Sequence, residues 1–110
     1  MRILLDECLP KDLAREFVGH DVTTVPQVGW ASVANGKLLR RIALSGKFDL
    51  FLTVDQRLPQ QNKTAALPFA IVVLRAKSNR LLHVLPFASE ILRCIEEFQP
   101  GQVYALLPPE

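Results

Sequence analysis

Three stretches of this chain are apolar almost without interruption: Ile3 to Leu5 in RILLDE, Leu50 to Val54 in LFLTVD, and Phe69 to Leu74 in FAIVVL. A strand with one wet face alternates apolar and polar side chains. A strand that does not alternate is buried on both faces, as central strands of a parallel sheet are when helices cover both sides. Between these runs the apolar spacing changes to that of helices. Pro10 followed by KDLAREFV places Leu13, Phe17 and Ala14 on one face, and Gly19 ends that helix. Asp21 to Val25 (DVTTV) is a short β-branched strand. A second helix from Val33 to Leu44 turns Leu38, Leu39, Ile42 and Ala43 inward and stops at Ser45-Gly46. After the strand Asp49 to Val54, the polar segment Pro59 to Ala66 reads as a short helix or loop. Beyond the strand Phe69 to Leu74, Pro86 starts or kinks a last helix carrying Ile91, Leu92, Ile95 and Phe98 inward. Pro100-Gly101 ends it, and Val103 to Leu107 is the fifth strand. Strands alternating with helices imply right-handed crossovers and one α/β domain over residues 1–110.

Composition agrees. With 49% hydrophobic residues in 110, one core needs neither disulfide nor structural metal. Cys8 and Cys94 are isolated thiols without metal-ligand or CxxC spacing, which suits a reducing cytoplasm. Met1 leads straight into a four-residue apolar strand that does not resemble an export signal, and no apolar run approaches the roughly 20 residues of a membrane span. The net charge of +2 is too small to argue for nucleic acid by itself. Its distribution is more telling: no acid occurs between Gln56 and Ser89, whereas Arg57, Lys63, Arg75, Lys77 and Arg80 do. Such a run is either a solvated face or a path for a polyanion.

Two of the apolar strands end in acids, Asp6-Glu7 and Asp55. In an open α/β sheet ligands bind beyond the carboxyl ends of the strands, where strand order reverses. If the first and third strands are neighbours, that crevice lies between Asp6 and Asp55. Carboxylates there can hold Mg²⁺ or Mn²⁺, accept a phosphoryl group, or cap the succeeding helices. For Glu7, capping is as strong a reading as metal binding. Asn35, in the first turn of the second helix, is a cap or a neutral oxygen ligand. Gln56 orients a water or caps a turn. Ser78, Asn79 and Arg80 open onto the same edge as phosphate contacts or as an ordinary capped loop, with Arg57 and Lys77 beside them. His20 and His83 have no partner in the sequence and read as surface or packing residues. Trp30, in a loop with Val28, is a candidate anchor for a partner.

At LLDECLP, VGHDV, NGKLL, LTVDQRLPQQN and RAKSNRL the chain resembles a compact bacterial family of PIN-like domains, over nearly its whole length. The resemblance implies a three-layer α/β/α sandwich with a mainly parallel five-stranded sheet. It further implies an RNA-hydrolysing site holding Mg²⁺ or Mn²⁺ on Asp6 and Asp55, in a toxin restrained by an antitoxin protein. RNA, an antitoxin and a second copy of the chain are the partners this reading carries. One departure stands out. PIN-type sites usually add an acid where this chain has Asn35-Gly36-Lys37-Leu38, and Lys37 opposes a cation. There are two rival readings: a catalytically weak interaction module that keeps the fold, and a phosphoacceptor domain of the receiver type. The latter lacks the lysine expected after the fifth strand, where Leu107-Pro108 stand.

Overall fold

A computed structural model describes residues 1–109. Five strands form one sheet: β1 (Arg2–Leu5), β2 (Asp21–Thr24), β3 (Leu50–Thr53), β4 (Ala70–Leu74) and β5 (Val103–Leu106). Their order is β2-β1-β3-β4-β5 and every pairing is parallel. The helices are α1 (Asn35–Ser45), α2 (Leu58–Gln61), α3 (Leu81–Val84) and α4 (Phe87–Cys94).

Side chains on successive strand residues point to opposite faces, and the core divides accordingly. Ile3, Leu5, Leu50, Leu52, Val72 and Leu74 pack on one face with Leu13, Phe17, Phe87 and Ile91. Leu4, Phe51, Ile71 and Val73 pack on the other, beneath Leu38, Leu39 and Ile42 of α1 and Leu58 of α2. The result is the expected α/β/α sandwich, with a sheet that is parallel throughout. Among the described residues no helix is long and apolar enough to cross a membrane.

Several elements differ in detail from the sequence reading. The segment after Pro10 is a 3-10 helix, Lys11–Glu16, with Pro10 as its N-cap rather than inside it. A 3-10 helix rises about 2.0 Å per residue against about 1.5 Å for an α-helix, so six residues carry the crossover further back toward β2. The second helix starts at Asn35, two residues later than its apolar pattern suggests, because Ala34 is extended. Before the last helix stands a separate turn, α3, since Pro86 has no N–H to continue it into α4. Strands β2 and β5 each end one residue early. Trp30 is half-buried and packs edge-on against Phe48 at 6.3 Å, so its ring is engaged within the fold.

At the turn into β5 another loop lies close against the backbone. Gly101 has φ +81°, its N–H donates to the carbonyl of Phe69, and a Cβ there would collide with the carbonyl oxygen of Ala65. Gly29 has a similar φ, +77°, but open space around it. Gly101→Ala is therefore expected to lose about 3 kcal/mol, from left-handed strain plus the clash, whereas Gly29→Ala loses about 1 kcal/mol from strain alone. Denaturant unfolding of the two variants checks the difference; equal losses would show that the Ala65 contact relaxes without cost.

Candidate active site

The register that pairs Leu5 with Leu52 sets the site. One residue on, Asp6 leaves β1 with its N–H still bonded to the Leu52 carbonyl at 2.9 Å. Asp6 and Thr53 thus occupy adjacent positions on the sheet face that α1 and α2 cover. Both are buried, the only polar or charged residues in the described core. The Thr53 hydroxyl donates to Asp6 Oδ2 at 2.6 Å and accepts the backbone N–H of Asp55 at 3.0 Å. One side chain therefore ties the two acids to each other. Thr53 was not singled out by sequence reasoning; a lone hydroxyl at the end of the apolar run LFLT was the available signal.

Each acid is further fixed from its own loop. Asp6 Oδ1 accepts the Glu7 N–H at 2.8 Å. Asp55 Oδ1 accepts the Arg57 N–H at 3.0 Å and Oδ2 accepts from Asn35 Nδ2 at 3.1 Å. The Arg57 bond closes a two-residue turn just ahead of α2, whose N-cap position, Arg57, has no side-chain cap bond. Asn35 is no cap either: Ala34 holds that position in α1 without a side-chain bond, and the Asn35 amide reaches across to Asp55. Burial raises the Asp6 carboxyl above its ordinary value despite the hydrogen bonds it accepts from Thr53 and the Glu7 N–H, and the charge of Glu7 adds to the rise. Burial also holds the nearby Cys8 thiol up to about 11, so it stays protonated.

The other candidates divide. The Glu7 carboxylate turns away and accepts the N–H of Ser32 with both oxygens, at 3.0 and 3.1 Å. That bond holds Ser32 at φ +66°, in a region a non-glycine residue seldom enters. Ser78 Oγ lies 2.6 Å from His83 Nδ1 and accepts the Arg80 N–H at 3.1 Å. Asn79 donates to the Cys8 carbonyl at 2.9 Å, bridging the β4 loop to the β1 loop. Ser78 and Asn79 thus spend these groups on the protein, although α3 itself begins without a side-chain cap. His83 has a partner that sequence spacing alone does not identify, as does His20, whose Nδ1 lies 2.9 Å from the amino terminus. Gln56, Arg57, Lys77 and Arg80 are exposed, and none forms a side-chain ion pair among the described residues. The same holds for Lys37, which makes no salt bridge to either acid.

Among the described residues no three His, Cys, Asp or Glu side chains are gathered to hold a metal ion. The donor set is thinner: two carboxylates, with no basic side chain paired to either. Each oxygen accepts one protein hydrogen bond and so retains a free lone-pair direction. Hard oxygens in that number suit Mg²⁺ or Mn²⁺, which keep several waters and are often bound through one or two carboxylates plus substrate phosphate.

Thr53→Val would strand the Asp55 N–H and Asp6 Oδ2 together, at a cost of about 2 kcal/mol at neutral pH, whereas Thr53→Ser keeps both bonds. Because the Thr53 hydroxyl lowers the Asp6 pKa, its removal raises that pKa further, and the penalty should shrink as pH falls and Asp6 protonates. Thermal unfolding across pH checks this; a penalty independent of pH would mean that the hydroxyl serves Asp55 alone. In comparisons with family models, curated proteins and solved structures, nothing matches this chain.

Proposed function

We propose that this chain is a metal-dependent ribonuclease-like domain, the reading that its sequence resemblance to PIN-like proteins also suggests. The observation that carries it is the pair Asp6 and Asp55, delivered by neighbouring parallel strands at the point where strand order reverses, neither of them in a salt bridge among the described residues. Asp6 and Asp55 would hold the divalent ion, and Asn35, bonded to Asp55, would orient that carboxylate. The ion would supply Lewis-acid stabilisation of charge on a phosphodiester and a more acidic water. Arg57, Lys77 and Arg80, exposed in the loops after β3 and β4, give the carboxyl edge the positive charge that draws an RNA backbone. Restraint by an antitoxin, and a cytoplasmic setting, belong to this reading as its expected context.

A phosphoacceptor role has one observation in its favour: the strand order is that of doubly wound receiver-like sheets. Against it, the carboxyl end of β5 offers Leu107 and Pro108 where a phosphoryl-binding lysine is required. Covalent labelling of Asp55 by a small phosphodonor would move that reading ahead.

The test is cleavage of single-stranded RNA with Mn²⁺ and with chelator. Wild type should cleave only with the metal, and Asp6→Asn or Asp55→Asn should each lose at least about 100-fold. Added salt should weaken RNA binding in proportion to the phosphates contacted. No metal-dependent cleavage at low salt would leave the interaction-module reading in its place.

Loss of activity in Asp6→Asn must be separated from loss of fold, and the raised Asp6 pKa does so. A carboxyl whose pKa is higher folded than unfolded adds stability in full below its unfolded value, ordinarily 3.8. That contribution disappears as pH rises through the raised value. At neutral pH the buried charge is a net cost that Asp6→Asn removes, but its amide nitrogen cannot accept one of the two bonds the carboxylate accepts, so the variant should lie within about 1 kcal/mol of wild type. Its stability should also vary less with pH across the acidic range. A clear drop in its melting temperature at neutral pH would make Asp6 a structural residue instead.

A further inference from the structure

Beside Asp55 the carboxyl edge opens into a groove of about 210 Å³. Its floor is Val73, Val103 and Ala105. In the sheet register Thr53 lies opposite Val73, and Val73 opposite Ala105. The floor therefore continues, on the same face, the row of positions that begins with Asp6 and Thr53. It is open because α2 is a single turn and stops short of the edge strand: Val103 is 36% exposed, and Ala105 is exposed as well.

The rim is polar and uncommitted. Gln56, Gln60 and Arg75, all exposed, line the groove as well. Among the described residues none of the three side chains takes part in an ion pair. Among the described residues no acid lines the groove, and the whole stretch from Gln56 to Ser89 contains none.

This combination selects a ligand. The apolar floor of small and β-branched side chains favours a flat ring that gives up water on one face. Two primary amides each present a donor and an acceptor, the pattern needed to read the edge of a heterocyclic base. A guanidinium pairs with phosphate or stacks on a ring. A simple anion would leave the floor unused, and a purely apolar ligand would leave three polar groups unanswered. We propose that the groove is a nucleobase subsite for single-stranded RNA, seating a base next to the phosphate that Asp6 and Asp55 would act on. Placing that phosphate rests on the nuclease reading; the base-binding chemistry of the groove does not.

The experiment measures binding and cleavage separately. Fluorescence anisotropy of a labelled RNA tetranucleotide, in chelator so that no cleavage intervenes, is compared with the same oligomer carrying abasic sites. Wild type should bind the intact oligomer at least about fivefold more tightly. Gln60→Ala and Arg75→Ala, which change exposed side chains, should each weaken binding about fivefold and narrow that preference. Ala105→Trp, filling the groove from the edge strand, should abolish the preference, while Asp6→Asn should keep it. Equal affinity for intact and abasic RNA, or variants that bind like wild type, would overturn the subsite. So would Ala105→Trp altering self-association while RNA affinity stays unchanged, which would mark the face as a protein contact. Base-dependent binding without Mn²⁺-dependent cleavage would keep the subsite and reject the nuclease. Normal cleavage and normal binding by the Gln60 and Arg75 variants would do the reverse.

Discussion

The pairing of β1 with β3 is the contact on which the molecule turns. Both strands are wholly buried apart from Arg2, so their alignment is specified by apolar side chains on two faces at once. A shift of one residue would send Leu4 and Phe51 to the wrong layers and flip every other side chain with them. Because the alignment cannot slip, the first polar residues beyond it, Asp6 and Thr53, meet each other without further instruction. At the opposite end the same pairing is pinned by Arg2, whose guanidinium and backbone N–H both hold Asp49. That exposed pair is worth little on its own.

The two faces of the sheet are not equivalent. The layer with α3, α4 and the 3-10 helix gathers sixteen buried residues, while the layer with α1 and α2 gathers eleven. The polar cluster belongs to the thinner layer, where α1 begins at Asn35 and α2 lasts one turn. Asp6 is therefore held in the buried layer by hydrogen bonds from Thr53 and the Glu7 N–H, while desolvation raises its carboxyl above the ordinary value. Proteins tolerate such local costs mostly where a function needs the group. After β4 the loop is closed by the bond of Ser78 to His83 and tied to the β1 loop by that of Asn79 to the Cys8 carbonyl.

Much of this was legible in the residues. Continuous apolar runs gave away the parallel sheet, since only burial on both faces removes alternation. The acids after β1 and β3 stood out because a charge there interrupts the run. What the sequence concealed was reach. Asn35 lies twenty residues from Asp55, and both a cap and a cross-bond fit its identity; the backbone decides, because Ala34 takes the cap position. Glu7 looked like a second acid for the site, but the peptide after Asp6 turns its side chain toward Ser32, a contact no local pattern announces. Thr53 escaped notice because threonine is common in strands, where it fits a pleated surface without comment. The break at Pro86 was anticipated, whereas the 3-10 form after Pro10 depends on how far the crossover must travel.

The strand order has a consequence for how the chain is made. β1 comes first in sequence yet lies inside the sheet, flanked by β2 on one side and β3 on the other. As the chain lengthens, β2 covers one edge of β1 early, but the second stays unpaired until Leu50 to Thr53 exist. β3 in turn waits for β4, and β4 for β5 after the whole α4 segment. At every stage of vectorial synthesis the growing side of the sheet therefore ends in an apolar strand with a free edge, the kind of surface that pairs with whatever strand is nearest. On that side only β5, with Val103 exposed and Ala105 beside it, remains as an edge at the end. The nascent chain thus needs shelter longest on the side of the sheet that it completes last.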